Sequence, residues 1–166
     1  MEEGGQVLPL VADSNVLFRF LLLSPRVRRI LYSGRVAIYA PDWAVREVEK
    51  YLSRIADKLE RRGVGRAALR LVLAELFSRI IVVPREVFRS ELREAYELAR
   101  AFDPKDTPFI ALARKLRVPI WTEDRDLIKR GLETERYLAL DTRAVEELLA
   151  GSSLADVLEG LRRRLG

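Results

Sequence analysis

Short apolar runs alternate along the chain with longer stretches in which hydrophobic residues recur every three or four positions. The short runs predict β-strands, and the longer stretches, with their helical period, predict helices. The predicted strands are residues 10–12, 36–40, 79–83, 118–122 and 137–140. The predicted helices are residues 15–23, 26–32, 42–61, 66–78, 89–101, 107–116, 125–130, 142–149 and 154–165. This alternation is typical of an α/β fold in which a parallel sheet lies between layers of helices.

The 166 residues are enough for one compact domain, and no repeat or linker divides them. We predict a domain over residues 1–150 and a helical extension of the same domain over residues 151–166. No apolar run approaches the roughly 20 residues of a membrane span, so no membrane partner is expected. The chain opens Met1-Glu2-Glu3, which is acidic rather than basic and argues against a secretory signal. We therefore expect a cytoplasmic protein.

Missing residue types narrow the possible chemistry. The chain has neither cysteine nor histidine, which excludes disulfides, thiol nucleophiles, imidazole bases and the usual zinc ligands. An enzyme of this composition must work through carboxylates, hydroxyls, Lys, Arg or a metal held by oxygen. Asn15 and Gln6 carry the only side-chain amides. Together with dense Arg and Glu, that scarcity predicts a heat-adapted, thermophile source.

Positive charge is concentrated in one segment of the chain. The formal net charge is +5, which favours a polyanionic partner. Within residues 54–70, the candidates for weak nucleic-acid contacts are Arg54, Arg61, Arg62 and Arg66. The alternative is a solvated helix face in an Arg-rich protein, and for a single charge run the two interpretations are equally favoured.

Carboxylates follow two of the predicted strands. Asp13 comes directly after the first strand, and Asp124 and Asp126 come directly after the fourth. Open parallel sheets bind ligands at the carboxyl ends of their strands, so these side chains mark the place to look for chemistry. Asp13 has an alternative role as a helix cap, and the other two have one as ordinary loop residues. Asn15 adds a polar group to the same edge.

Two further acids lie on predicted helices. Asp106 stands at a helix start, with Ile110 and Ala113 four and seven positions later, so its side chain points along the apolar face. A helix cap is again the alternative, and Asp103 in the preceding Asp-Pro turn is typical of turn chemistry. Glu47 lies roughly 100° around its helix from the apolar stripe, and periodicity alone favours a surface position for it.

Acids that meet at one edge of a sheet need a counter-cation, because their mutual repulsion is otherwise costly. Oxygen ligands select hard ions such as Mg²⁺ or Mn²⁺. Such an ion activates water and neutralises charge on a phosphate, so it would allow a protein without histidine to hydrolyse a phosphodiester. Basic residues near the mouth of the site would then hold the flanking backbone.

These acids and their neighbours resemble the motifs of the PIN-domain family, which includes the VapC-type toxins. The resemblance covers most of the chain in order, and the last two blocks are its most specific part. The blocks that carry it are Asp13-Ser14-Asn15-Val16-Leu17, Glu47, residues 103–113 and residues 121–127.

The resemblance implies a three-layer α/β sandwich with a five-stranded parallel sheet, and an endoribonuclease that cleaves RNA with Mg²⁺ or Mn²⁺. It implies catalytic roles for Asp13, Glu47, Asp106 and Asp124. It implies metal ligation by Asp13, Asp106, Asp124 and Asp126, and supporting roles for Asn15, Asp103 and Thr122. Family members often form homodimers, and the toxins pair with an antitoxin protein. Most VapC-type chains are shorter than this one, so a stand-alone RNA-processing nuclease fits equally well.

Two alternatives stay open. A catalytically silent PIN-like module would bind RNA or a protein through its basic face. A haloacid-dehalogenase-like phosphatase also begins with Asp after its first strand, but its second Asp is here Asn15. A third pattern, the G-x-G-x-x-A of residues 63–68, suggests dinucleotide binding. It follows a charged helix end rather than a strand, so it predicts a helix stop and restart instead.

Overall fold

A computed structural model describes residues 6–166, and the acidic start of the chain lies outside them. The centre of the fold is a five-stranded sheet in the order β3-β2-β1-β4-β5. All four neighbouring pairs are parallel. The strands are β1 (Leu8–Ala12), β2 (Val36–Pro41), β3 (Ile80–Val83), β4 (Ile120–Trp121) and β5 (Ala139–Leu140). The predicted parallel α/β class is confirmed.

Helices fill the connections between the strands. They are α1 (Ser14–Leu21), α2 (Pro25–Tyr32), α3 (Asp42–Lys50), α4 (Leu52–Arg61), α5 (Arg66–Arg79), α6 (Arg85–Phe88), α7 (Leu92–Ala99), α8 (Thr107–Leu116), α9 (Arg125–Thr134), α10 (Thr142–Leu149) and α11 (Leu154–Leu165), with short 3₁₀ turns at Arg89–Glu91 and Pro104–Asp106. Gly63, with a positive φ of 80°, follows the end of α4. The predicted helix stop in the G-x-G-x-x-A segment is therefore confirmed.

The single helix predicted over residues 42–61 is wrong, because the structure divides it into α3 and α4 at Tyr51. The Tyr51 backbone leaves helical geometry there, with φ −101° and ψ 9°. Its ring packs edge-on against Phe18 of α1, with 5.8 Å between ring centroids. The break places the Tyr51 ring at the junction of three helices.

Strands β4 and β5 have two residues each, shorter than predicted. Pro119 has no amide hydrogen to donate to the ladder, so β4 begins only at Ile120. The Thr122 amide still donates to the Leu140 carbonyl oxygen at 2.9 Å, so pairing continues one residue past β4. The predictions also missed helix α6 and the last turn of α9, and they merged the 3₁₀ turn before α7 with that helix.

The sheet lies between two layers of helices. Residues 109–113 of α8 are each at most 2% exposed, because this helix packs directly on β1, β2 and β4. Helices α2, α3 and α5 pack on β2 and β3. Right-handed crossovers that run in opposite directions along the sheet place α1–α5 on one face and α7–α9 on the other. The three-layer sandwich is thus as predicted.

Helix α11 packs against α9 and α10 and buries Val157, Leu161 and Leu165. Its side chains complete the core beside β5. Within residues 6–166, no helix is long and apolar enough to cross a membrane.

Candidate active site at the carboxyl edge of the sheet

The strand order reverses between β1 and β4, which are neighbours in the sheet although two strands separate them in sequence. Chain segments leave these two strands in opposite directions and open a crevice at their carboxyl ends. A cavity of about 790 Å³ lies there. Its acidic lining residues are Asp13, Glu47, Asp103, Asp106, Glu123 and Asp124.

Asp13 is held at the end of β1 by contacts with β4. Its amide donates to the Trp121 carbonyl oxygen at 3.0 Å. The Thr122 hydroxyl donates to Asp13 Oδ2 at 2.6 Å, and both side chains are buried. Burial raises the pKa of Asp13, while the Thr122 hydrogen bond opposes that rise. The predicted supporting residue Thr122 therefore orients a carboxylate that would otherwise resist ionisation.

Asp124 connects the same threonine to helix α9. Its amide donates to Thr122 Oγ1 at 3.0 Å. Its Oδ1 accepts from the amides of Asp126 at 2.9 Å and Leu127 at 3.3 Å, which caps α9. Asp126 itself is exposed on the first turn of α9 and does not line the cavity. The structure thus brings Asp124 to the site and leaves Asp126 outside it.

Asp106 occupies the N-cap position of α8, yet its side chain makes no capping hydrogen bond. Its Oδ2 is buried and has no hydrogen-bond partner within residues 6–166. Burial, with the charges of Asp13 and Asp124 next in importance, raises the pKa of Asp106 to about 8. A buried carboxylate oxygen without a partner is costly. Helix capping therefore does not explain this residue.

The three remaining predicted residues also line the cavity. Glu47 is half-buried on α3 and lines the cavity, whereas periodicity alone had favoured a surface position for it. Asp103 Oδ1 accepts from the Lys105 amide at 3.0 Å, which is the turn chemistry expected of an Asp-Pro segment. Asn15 is exposed on the first turn of α1. Both Asp103 and Glu47 add to the negative charge that raises the pKa of Asp106.

The donor set suits a hard divalent cation, because it consists of carboxylate, amide and hydroxyl oxygens. The unpartnered Oδ2 of Asp106 is the feature that such an ion would satisfy. Within the described residues, no group of three acids is arranged to hold an ion with the side chains where they stand. Ligation of one ion by three acids would therefore require side-chain movement, and Asp106 is free of hydrogen bonds that would oppose it.

Comparison with known proteins decides the family. The chain matches the family model of the PIN domain over residues 11–150, which is most of its length. The chain belongs to the PIN-domain family. It also resembles the crystal structure of PAE2754 from Pyrobaculum aerophilum, with a TM-score of 0.57 and 20% identity over 90% of this chain and 94% of that one. At this identity the likeness shows a shared fold.

Among the curated proteins compared, none matches the chain. A chain that matches the PIN domain over most of its length is not a haloacid-dehalogenase-like phosphatase, so that alternative is wrong.

The basic residues of this PIN domain divide into two groups. Arg54 lines the cavity, as do Arg19, Lys58 and Lys105. Of the other predicted contacts, Arg62 donates to the Leu22 carbonyl oxygen at 2.7 Å and Arg66 pairs with Glu60 at 3.4 Å, while Arg61 is exposed outside the cavity. Charge density predicted a whole segment, residues 54–70, as the basic contact. The helical period determines which of its residues, Arg54 and Lys58, face the cavity.

Sequence reasoning missed the aromatic part of the PIN cavity. Trp43 and Tyr51 line it together with Glu47. The signal was present in the spacing, because residues four apart share one face of a helix and these three stand at intervals of four. Glu123, to which the sequence analysis gave no role, also lines the cavity, and its Oε1 accepts from the Thr142 amide at 2.9 Å.

Proposed function

We propose that this PIN-domain protein is a metal-dependent endoribonuclease that hydrolyses RNA phosphodiesters with Mg²⁺ or Mn²⁺. The observation that carries the proposal is the state of Asp106. Its buried Oδ2 has no partner within residues 6–166, and the surrounding acids help to raise its pKa to about 8. A divalent cation relieves both the missing contact and the repulsion, whereas a purely structural role relieves neither.

Each acid has a distinct proposed role. Asp13, Asp106 and Asp124 would hold the ion, with Asp13 kept in position by the Thr122 hydroxyl. Glu47, half-buried on the opposite wall, would accept a hydrogen bond from the attacking water. An ion bound there would neutralise charge on the scissile phosphate and favour ionisation of water. Asp126 is exposed and does not line the cavity, so we leave it out of this ligand set; its amide donates to Asp124 and supports that residue.

The second candidate function is a catalytically silent module that binds RNA. It is favoured by the finding that no three acids of the described chain are arranged to hold an ion as they stand. The two functions differ in their response to metal. A ligand present at 100 times its Kd stabilises the folded state by about 2.7 kcal/mol, and a silent module gains nothing from it.

The experiment follows both cleavage and thermal stability of the purified protein. We expect EDTA to abolish cleavage of an unstructured RNA and excess Mn²⁺ to restore it. Mn²⁺ should also raise the Tm of the parent. Cleavage that persists in excess chelator would contradict the mechanism. RNA binding with neither cleavage nor a rise in Tm on addition of Mn²⁺ would favour the silent module.

A toxin role, with an antitoxin partner, is a narrower version of the same proposal. It predicts that the adjacent reading frame encodes a small DNA-binding protein with an acidic or amphipathic tail. Co-expression with that protein should inhibit cleavage. A neighbouring gene set without such a frame would instead favour a stand-alone RNA-processing enzyme.

A further inference from the structure

The two tryptophans of the chain have opposite surroundings. Trp121 is fully buried, and its Nε1 donates to Thr142 Oγ1 at 3.0 Å. Trp43 is 37% exposed and lines the cavity. Among the described residues, no aromatic ring or cation stacks on the Trp43 indole. A large ring left open on the wall of a cavity that several acids line is a surface for a ligand rather than a part of the core.

Trp43 has a defined position relative to the acids. Trp43, Glu47 and Tyr51 follow one another at intervals of four along one face of α3 and its end. With a rise of 1.5 Å per residue, Trp43 lies roughly 6 Å along the axis on one side of Glu47, and Tyr51 roughly 6 Å on the other side. Glu47 is therefore flanked by one aromatic ring on each side along the helix axis.

Tyr51, unlike Trp43, is already engaged by the protein. Its ring meets Phe18 edge-on, with 5.8 Å between centroids. Lys50 Nζ lies 5.4 Å and Arg54 Cζ 5.3 Å from the centre of the Tyr51 ring. Arg54 also lines the cavity, and Lys58 follows it one turn later. This side of the acids therefore presents cations, with Tyr51 as the platform that positions Arg54.

We propose that the cavity takes single-stranded RNA asymmetrically. On one side of the scissile bond a nucleotide stacks its base on Trp43, and on the other side the strand is held through its phosphates by Arg54 and Lys58. The position of the scissile bond rests on the proposed nuclease function, but the stacking itself requires no cleavage. A duplex keeps its bases stacked on one another and has none to offer to Trp43, so single strands are preferred.

The binding test uses the full chain in EDTA, with an unstructured single-stranded RNA and its duplex as probes. The single strand should quench Trp43 fluorescence, while buried Trp121 gives a constant background. Trp43→Ala should raise the Kd about fivefold or more, because stacking on an aromatic side chain contributes that much per base. Trp43→Phe should keep nearly the parent Kd and lose the quenching. Tyr96→Ala, which removes a ring that is 48% exposed outside the cavity, is the matched control and should change neither.

Replacement of single nucleotides by abasic ones tests the asymmetry. An abasic replacement should weaken binding at only one position, next to the cleaved bond on the Trp43 side. In Trp43→Ala, the same replacement should cause no further loss of affinity. Equal sensitivity on both sides of the bond, or none, would overturn the division of the cavity.

The remaining outcomes separate this inference from the proposed function. Trp43-dependent binding without cleavage in Mn²⁺ removes the nuclease proposal and leaves the stacking site. Cleavage whose KM does not change in Trp43→Ala removes the stacking site and leaves the nuclease. Equal quenching by duplex, or a parent protein that binds no RNA, contradicts the inference.

Discussion

Cavities of nearly equal volume lie at opposite edges of the sheet, about 790 Å³ at the carboxyl edge and 760 Å³ at the amino edge of β4 and β5. Both are lined by charged residues, but the charged groups at their centres differ in whether they have partners within the protein. At the amino edge, Arg114 donates from Nε to Glu91 at 2.9 Å and from Nη2 to Glu94 at 2.7 Å. Its Nη1 donates to the Arg136 carbonyl oxygen at 2.7 Å, so each of the three guanidinium nitrogens donates a hydrogen bond within the protein.

At the carboxyl edge one buried acid is left unmatched. Asp106 has an unpartnered buried oxygen among the described residues, and its neighbours are other acids. A protein gains stability from matched charge and loses it from crowded like charge. We infer that the amino-edge cavity was shaped by stability and the carboxyl-edge cavity by a ligand. Substitution of the unmatched acid at the carboxyl edge should therefore reduce activity without loss of stability. Substitution of Arg114 at the amino edge should reduce stability without loss of activity.

The largest effect is expected from Asp106→Asn. It should lower kcat/KM for RNA cleavage by more than about a hundredfold, because a metal ligand contributes several kcal/mol and each 1.36 kcal/mol is a factor of ten. Single-turnover cleavage in excess Mn²⁺ gives the measurement. Cleavage at the parent rate would place the metal elsewhere.

The same variant should gain stability in the absence of metal, most strongly at high pH. An Asp in the unfolded chain has a pKa near ~3.9, whereas folding raises the pKa of Asp106 to about 8. Between these values the folded state holds a proton that the unfolded chain has lost, so the parent becomes less stable as pH rises toward 8. Asn has no such proton to lose. Urea unfolding in EDTA should show that the variant exceeds the parent in free energy of unfolding by more at high pH than at low pH. A variant that is several kcal/mol less stable than the parent at both pH values would indicate a structural role for Asp106 instead.

The second prediction concerns Thr122, which touches two of the acids. Thr122→Val removes the hydroxyl that donates to Asp13 and accepts from the Asp124 amide. We expect Mn²⁺ affinity to fall about 10- to 100-fold, as is usual when a partner of a metal ligand is lost. Because the hydrogen bond favours ionised Asp13, its loss should raise the pKa of Asp13 further. The acid limb of the pH–rate profile should therefore move to higher pH.

Thr122→Ser, which keeps the hydroxyl, serves as the control and should restore both properties. A variant that loses stability alone, with metal affinity and pH profile intact, would make Thr122 a packing residue.

The third prediction addresses the amino-edge cavity. Arg114→Ala leaves Glu91 without its partner and leaves Glu94 paired with Arg136 alone, and we expect a loss of about 1–3 kcal/mol in the free energy of unfolding. Cleavage, assayed well below the unfolding temperature, should be unchanged, and so should the Mn²⁺-dependent rise in Tm. Loss of cleavage with stability preserved would reverse the assignment of the two cavities.

The comparison also explains what could be predicted from the sequence. The strand ends at Asp13 and Asp124 were predictable because a parallel sheet brings its carboxyl ends together whatever the side chains do. The capping bonds of Asp124, and their absence at Asp106, were not predictable, because both residues have the same sequence signature of an acid before a helix. Only the three-dimensional structure shows which carboxylate is satisfied by its own helix.

Aromatic and basic residues were the harder part for a related reason. Charge density marked residues 54–70 as a unit, although a helix turns successive residues to different sides. The four-residue spacing of Trp43, Glu47 and Tyr51, which marks the cavity face, was not used in the prediction. The local sequence pattern therefore predicts the acids at the strand ends well and predicts the aromatic and basic residues at the rim of the cavity poorly.

The smallest predicted effect tests that rim directly. Arg54→Ala and Arg61→Ala remove the same charge from the same helix, but only Arg54 lines the cavity. If Arg54 contacts a phosphate, its loss should reduce the slope of log Kd against log salt concentration by about 0.7, while Arg61→Ala should leave the slope nearly unchanged. Titrations of labelled single-stranded RNA at several salt concentrations provide the slopes. Equal changes in the two variants would mean that RNA senses the overall positive field rather than a defined site, and the contrast between matched and unmatched cavities would then not extend to the phosphate contacts.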